Sequence, residues 1–161
     1  MNLNQLIDRA NALPLSEQRF QHPRPSEFSI RRINEHFQMT LPESLLEFVR
    51  SWRSSGRWFA SLGGDYDSPE HIIRINSYWR RRRITRRLPH NFVVFNLCHD
   101  EDCDCFNLGA YDRTTGEYEI RYWYPGFNEI VSYPSLLHYM DLQISGWQKP
   151  KGTIRKNGAA A

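Results

Sequence analysis

No stretch of this 161-residue chain approaches the roughly 18 uninterrupted apolar residues that a membrane-crossing helix requires. Its first twenty residues, MNLNQLIDRANALPLSEQRF, mix charged and polar side chains throughout and contain no apolar core of a secretory signal. Internal repeats and low-complexity tracts are also missing. Cysteine is scarce: there are three, all between residues 98 and 105, the opposite of a secreted disulfide framework. These absences predict a soluble, cytoplasmic protein with no membrane partner. Catalytic punctuation is lacking too. The six histidines are scattered singly, and none sits in a nucleophile elbow or a zinc-binding helix motif. His138, on the last predicted helix, reads as packing rather than as a base. No enzymatic activity and no cofactor are expected.

What is present suits one domain. About 40% of residues are apolar and 14% aromatic, enough for a single sizeable core and too much for a disordered chain. The net charge of +3 is unevenly spread. Residues 50–90 carry ten arginines against Asp65, Asp67 and Glu70, whereas residues 91–141 carry nine carboxylates against Arg113 and Arg121. Opposed surface fields of this kind steer partners rather than specify a fold.

Along the chain, HPRPSEFS (22–29) reads as an extended arm, because each proline pushes its predecessor out of the helical region. Ile30, Ile33 and Phe37 then recur at helical spacing. Thr40 and Glu43 make a capping-box pattern before a second helix, which presents Leu45, Leu46, Val49 and Trp52 on one face and ends near Ser55-Gly56. RWFASL (57–62) is a short strand candidate closed by Gly63-Gly64. A third helix starts with Ser68 as cap and Pro69 in its first turn. Its buried stripe is either Ile72, Ile75 and Trp79 or Ile72, Ile73 and Asn76, and the arginine run falls at its C-terminal end, where the dipole favours positive charge. Strands are predicted at 89–97, 105–111 and 118–124, with the turn DRTTGE between the last two. A closing helix after Pro134 uses Leu136, Leu137, Met140 and Ile144. The order predicts an α+β fold with an antiparallel sheet of mixed-length strands flanked by helices.

That order, with Leu41-Pro42-Glu43, the Ser55-Gly56 turn, VVFNLCHDEDCDCFNLGAYD, the third strand and SYPSLLHYM, resembles the SUKH superfamily. This superfamily includes bacterial toxin-immunity proteins and fungal cell-wall regulators. The resemblance spans residues 30–145 and implies an N-terminal arm or helix (1–29), a SUKH-like domain (30–147) and a flexible basic tail (148–161). It further implies a protein that binds and neutralises a cognate toxin domain by blocking its active surface.

The stretch NLCHDEDCDCF (96–106) poses a metal question. Cys98, His99, Cys103 and Cys105 match the zinc coordination number, but neighbours on a strand point to opposite faces, and the one-residue gap between Cys103 and Cys105 is too short for a zinc knuckle. Asp100, Asp102 and Asp104 have the first spacings of a calcium loop, yet Cys105 stands at its glycine position and Tyr111 at its terminal glutamate position. No metal is predicted. The segment reads instead as a solvated acidic loop between strands, its thiols packed as small hydrophobes. Asp100, Glu101, Asp102 and Asp104 then form the electrostatic element of a partner surface.

Arg80 and Arg83, within the run Arg80–Arg83 plus Arg86 and Arg87, and Trp123 form a second candidate contact region. In YWYPGF, strand alternation buries one of Tyr122 and Trp123 and exposes the other. The alternative function is a small nucleic-acid-binding regulator using the arginine-rich helix end with Tyr78 and Trp79 for stacking. Nucleic acid is disfavoured as a partner because no standard motif accompanies the arginines and the acidic half of the chain would repel phosphates.

Overall fold

The computed structural model describes residues 2–13, 26–51, 69–82, 87–97, 102–124 and 131–148. Outside them lie the 57–62 strand candidate, the Ser55-Gly56 and Gly63-Gly64 turns, Trp52, Ser68 and the basic tail. Local chemistry sets the helix boundaries. At the start of α1 (Leu3–Asn11), the Gln5 amide donates to Asn2 Oδ1 and the Asn2 amide donates to Gln5 Oε1, both at 3.0 Å, a reciprocal capping box. A helix rather than an extended arm therefore opens the chain. Ser26 caps α2 (Glu27–Phe37) by accepting from the Ser29 amide at 3.1 Å, so the helix begins inside the segment predicted to be extended. It ends at Gln38, whose φ of 52° is left-handed.

The capping box predicted at Thr40 and Glu43 is not the one used. The Thr40 amide donates to the Tyr118 hydroxyl at 3.3 Å, and Glu43 pairs with Arg50 at 2.9 Å. Instead the Pro42 carbonyl accepts from Leu45 and Leu46 to start α3 (Glu43–Ser51). After α4 (Pro69–Arg81) come β1 (Phe92–Leu97), β2 (Cys103–Asp112), β3 (Glu117–Trp123), β4 (Val131–Tyr133) and α5 (Leu136–Gln148).

The four strands form one antiparallel sheet in the order β1-β2-β3-β4, an α+β single-domain arrangement. The β2–β3 turn is stitched by Asp112, whose carboxylate accepts from the Thr114 amide at 2.8 Å and the Thr115 hydroxyl at 2.9 Å. Those bonds hold its carboxyl below the ordinary range, the Thr114 amide contributing most. Gly116 closes the turn at φ +72°, where a Cβ would be strained. The three-residue β4 was not anticipated.

Alternation divides the core into two clusters. Val93, Phe95, Phe106, Tyr118 and Ile120 pack with Leu6, Ala10, Leu45, Phe48, Leu136, Met140 and Ile144 from α1, α3 and α5. Phe92, Val94, Cys103, Cys105 and Trp123 form the second cluster, with Trp79 and Leu88.

Helix α4 joins both clusters. Ile72 and Ile73 enter the first, Ile75 and Trp79 the second, so the helix straddles the outer edge of β1 and combines the two predicted stripes. Asn76, fully buried, fastens it there. Its Nδ2 donates to the Ile72 carbonyl at 3.0 Å and the Val94 carbonyl at 3.1 Å, and its Oδ1 accepts from the Val94 amide at 2.9 Å. An edge strand exposes unpaired backbone groups, and here a helical amide side chain satisfies them.

Candidate partner-binding surface

The structure redistributes the residues expected to meet a partner. Asp104 lies within β2 and is 1% exposed. It accepts from the Tyr139 hydroxyl and, at 2.9 Å, from Asn96 Nδ2. Asp102, 8% exposed, accepts from the Tyr122 hydroxyl. The solvated-loop expectation is therefore corrected for these two residues. A carboxylate enters a protein interior only when donors replace its water, and Tyr139, Asn96 and Tyr122 are those donors. Sheet register places Asn96 on one side of Asp104 and Tyr122 on the other, and α5 supplies Tyr139. Of the four carboxylates, Asp100 and Glu101 lie outside the described residues, as do Cys98, His99 and Arg83.

Trp123 is likewise 1% exposed, so it offers no surface contact. Its ring meets Trp79 edge to face, with centroids 5.5 Å apart at 81°. Alternation is resolved with Trp123 inside and Tyr122 half-buried. Cys103 and Cys105 pack in the same cluster as buried thiols, without a disulfide.

Arg80, also expected at the surface, is half-buried and structural. Its Nη2 donates to the Phe92 carbonyl at 3.0 Å and the His90 carbonyl at 3.3 Å, extending the cover that Asn76 gives β1. Its guanidinium also lies 5.6 Å from the centroid of the Phe37 ring. Helical geometry explains the correction: residue 80 falls on the same side of α4 as Ile72, Asn76 and Trp79.

The opposite side of α4 carries the most distinctive exposed chemistry. Arg74, Ser77, Tyr78, Arg81 and Arg82 line an open depression of about 380 Å³. Tyr78 is 56% exposed, and its ring meets Trp79 edge to face at 5.4 Å. The Arg82 guanidinium stands 5.8 Å from the Tyr78 centroid and 5.1 Å from the Trp79 centroid. Arg74 Nη2 lies 3.2 Å from His71 Nδ1, which must accept, because a guanidinium only donates. Burial first, then the Arg74 charge, lowers the His71 pKa, so the imidazole stays neutral near pH 7. Positions 74, 77, 78 and 81 are spaced i, i+3, i+4 and i+7, one helical face. That signal was present in the sequence, but contiguous arginines obscured it: grouping 80–83 mixes the inward face with the outward one.

Among the described residues, no three His, Cys, Asp or Glu side chains converge as metal ligands, and no helix is long and apolar enough to cross a membrane. No protein-family model, curated protein or solved structure matches this chain.

Proposed function

We propose that this chain is a SUKH-like immunity protein that binds a cognate bacterial toxin and neutralises it by covering the toxin's active surface, without catalysis. The observation that carries the reading is the element order. A helix leads into Leu41-Pro42-Glu43 and a second helix, followed by α4, the β1-β2-β3-β4 meander and a closing helix that begins at Leu136 after SYPS. That order supports the reading.

The platform is well suited to occlusion. Two core clusters lock α1, α3, α4 and α5 onto the sheet. A rigid scaffold loses little conformational freedom on binding, so contacts at its surface convert more fully into affinity. With Asp102 and Asp104 drawn inside, Asp100 and Glu101 remain the acidic candidates on the proposed contact surface. The test is co-expression with the toxin domain encoded beside it. Stable co-purification and restored growth are expected, and a pair that neither associates nor rescues growth refutes the function.

A second reading, a nucleic-acid-binding regulator, draws support from Tyr78, an exposed ring flanked by Arg74, Arg81 and Arg82. Stacking plus phosphate neutralisation is the chemistry of single-strand binders. Filter binding across a salt series decides it. Affinity falling steeply with salt favours this reading, and no retention at low salt eliminates it.

A further inference from the structure

We infer that the outward face of α4 is a docking site for an acidic segment of a partner protein, with Arg74 and Arg81 as carboxylate ligands and Tyr78 as the apolar anchor. The inference rests on the partner-binding function proposed above and identifies the surface and the chemistry that it meets.

Fold stability does not account for this face. Ile72, Asn76, Trp79 and Arg80 already fasten α4 to the sheet. Arg74, Tyr78 and Arg81 point away from that seam, and more than half of the Tyr78 surface meets solvent. The ion pairs described join Arg9 to Asp141, Arg50 to Glu43 and Arg121 to Glu119, and include neither Arg74 nor Arg81. The imidazole that Arg74 meets, His71, has its pKa lowered by burial and by the Arg74 charge, so it brings no negative charge to the face. Guanidinium forks match carboxylates in bidentate geometry, and tyrosine and arginine together are the residue types that dominate interface energetics. The Tyr78 ring is also pre-positioned, braced by Trp79 on one side and by Arg82 above. An anchor already ordered loses less entropy when covered.

Charge selects the occupant. Non-specific nucleic-acid affinity grows with the number of phosphates neutralised. This depression offers Arg74, Arg81 and Arg82, while Arg80 is turned inward onto β1 carbonyls. Three guanidinium groups within about two turns of one helix form a short patch rather than a track along which a polyphosphate backbone could run. A single ring among a few guanidinium groups in about 380 Å³ fits one or two acidic side chains and a neighbouring apolar one.

The experiment measures fluorescence anisotropy of a short labelled polyglutamate peptide and of an oligothymidylate of equal charge, using the full chain at low salt. The peptide should bind at least as tightly as the oligonucleotide. Arg74→Glu with Arg81→Glu should weaken it by at least about tenfold, in line with the loss of two charge-assisted contacts. Tyr78→Ala should weaken it too, whereas Arg87→Glu, at an exposed arginine outside the depression, should change it less than about twofold. If charge reversal disturbs folding, Arg74→Gln with Arg81→Gln reads out the same loss. Tighter oligonucleotide binding, an equal loss in Arg87→Glu, no peptide binding, or self-association that the double variant abolishes would each overturn the assignment. The toxin pair separates the two proposals. Neutralisation that survives the double variant sinks the docking site and leaves the function standing. Peptide binding that tracks Arg74 and Arg81 in a chain that binds no toxin does the reverse.

Discussion

Replacing Asn76 tests the sealing of the β1 edge directly. Asn76→Ala deprives the Val94 amide and carbonyl of their partners, and Val94 is buried, so water does not readily replace them. A buried backbone group left unsatisfied costs about 1–3 kcal/mol, which gives about 2–6 kcal/mol for the pair. The third bond, to the Ile72 carbonyl, adds little, because that carbonyl keeps its place in the helical ladder. Against a total of about 5–15 kcal/mol for an ordinary domain, this leaves a marginal fold. Equilibrium urea unfolding measures the loss, and the edge-to-face Trp79–Trp123 pair supplies a fluorescence signal from the second cluster. Ser77→Ala, one residue along on the outward face, serves as the control and should change stability by less than about 0.5 kcal/mol. Asn76→Asp keeps the acceptor for the Val94 amide but sets a carboxylate against the Val94 carbonyl, and should be at least as damaging as alanine. An Asn76→Ala variant indistinguishable from Ser77→Ala, or a stabilised Asn76→Leu, would refute the edge-sealing account.

Glu117 gives a prediction in pH. Burial raises its carboxyl above the ordinary range, and hydrogen bonds from the Ser44 hydroxyl and the Leu136 amide oppose that only in part. Ionisation is thus penalised in the folded state, so its contribution to stability falls as pH rises from the unfolded value near 4.5 through the higher folded value. Relative to wild type, Glu117→Gln should gain in urea midpoint as pH is raised across that window; a difference independent of pH would contradict the burial argument. Tyr139→Phe removes a donor from fully buried Asp104 and should cost about 1–3 kcal/mol in urea unfolding. Tyr122→Phe, whose hydroxyl serves Asp102 from a half-buried position, should cost less. The reverse order would place the buried carboxylate elsewhere.

The parts of this fold that were legible in the sequence are those encoded by short-range periodicity. The alternation of Phe92 to Phe95, the DRTTGE turn and the Leu136–Met140–Ile144 stripe each depend on neighbours within a few positions, and each stands where expected. The Asp102–Asp104 segment was misread for the opposite reason. Its partners lie 20 and 35 residues away for Tyr122 and Tyr139, so composition alone presents a run of charges that solvent ought to claim. The same limit hid the start of β2 at Cys103 and the existence of β4, whose three residues are too few to alternate detectably. Two rival stripes on α4 looked mutually exclusive because a helix is ordinarily assumed to meet one surface. A helix laid along a sheet edge meets two.

That placement links stability to the proposed docking chemistry. A helix seated on one face of the sheet would bury about one flank and leave its charged residues to vary freely. Seated on the edge of β1, α4 inserts Ile72 and Ile73 on one side of the sheet and Ile75 and Trp79 on the other, with Asn76 and Arg80 bonded between them. Rotation about the helix axis would then disrupt both clusters and strand the Val94 backbone, so the direction in which Arg74, Tyr78 and Arg81 project is fixed by buried contacts that they do not themselves make. Substitutions on the outward face should therefore separate binding from folding, whereas substitutions at Asn76 or Arg80 should not. The comparison between Arg74 and Arg80 is the sharpest form of this claim: two arginines on one helix, six residues apart, of which one should affect a partner and the other the protein itself.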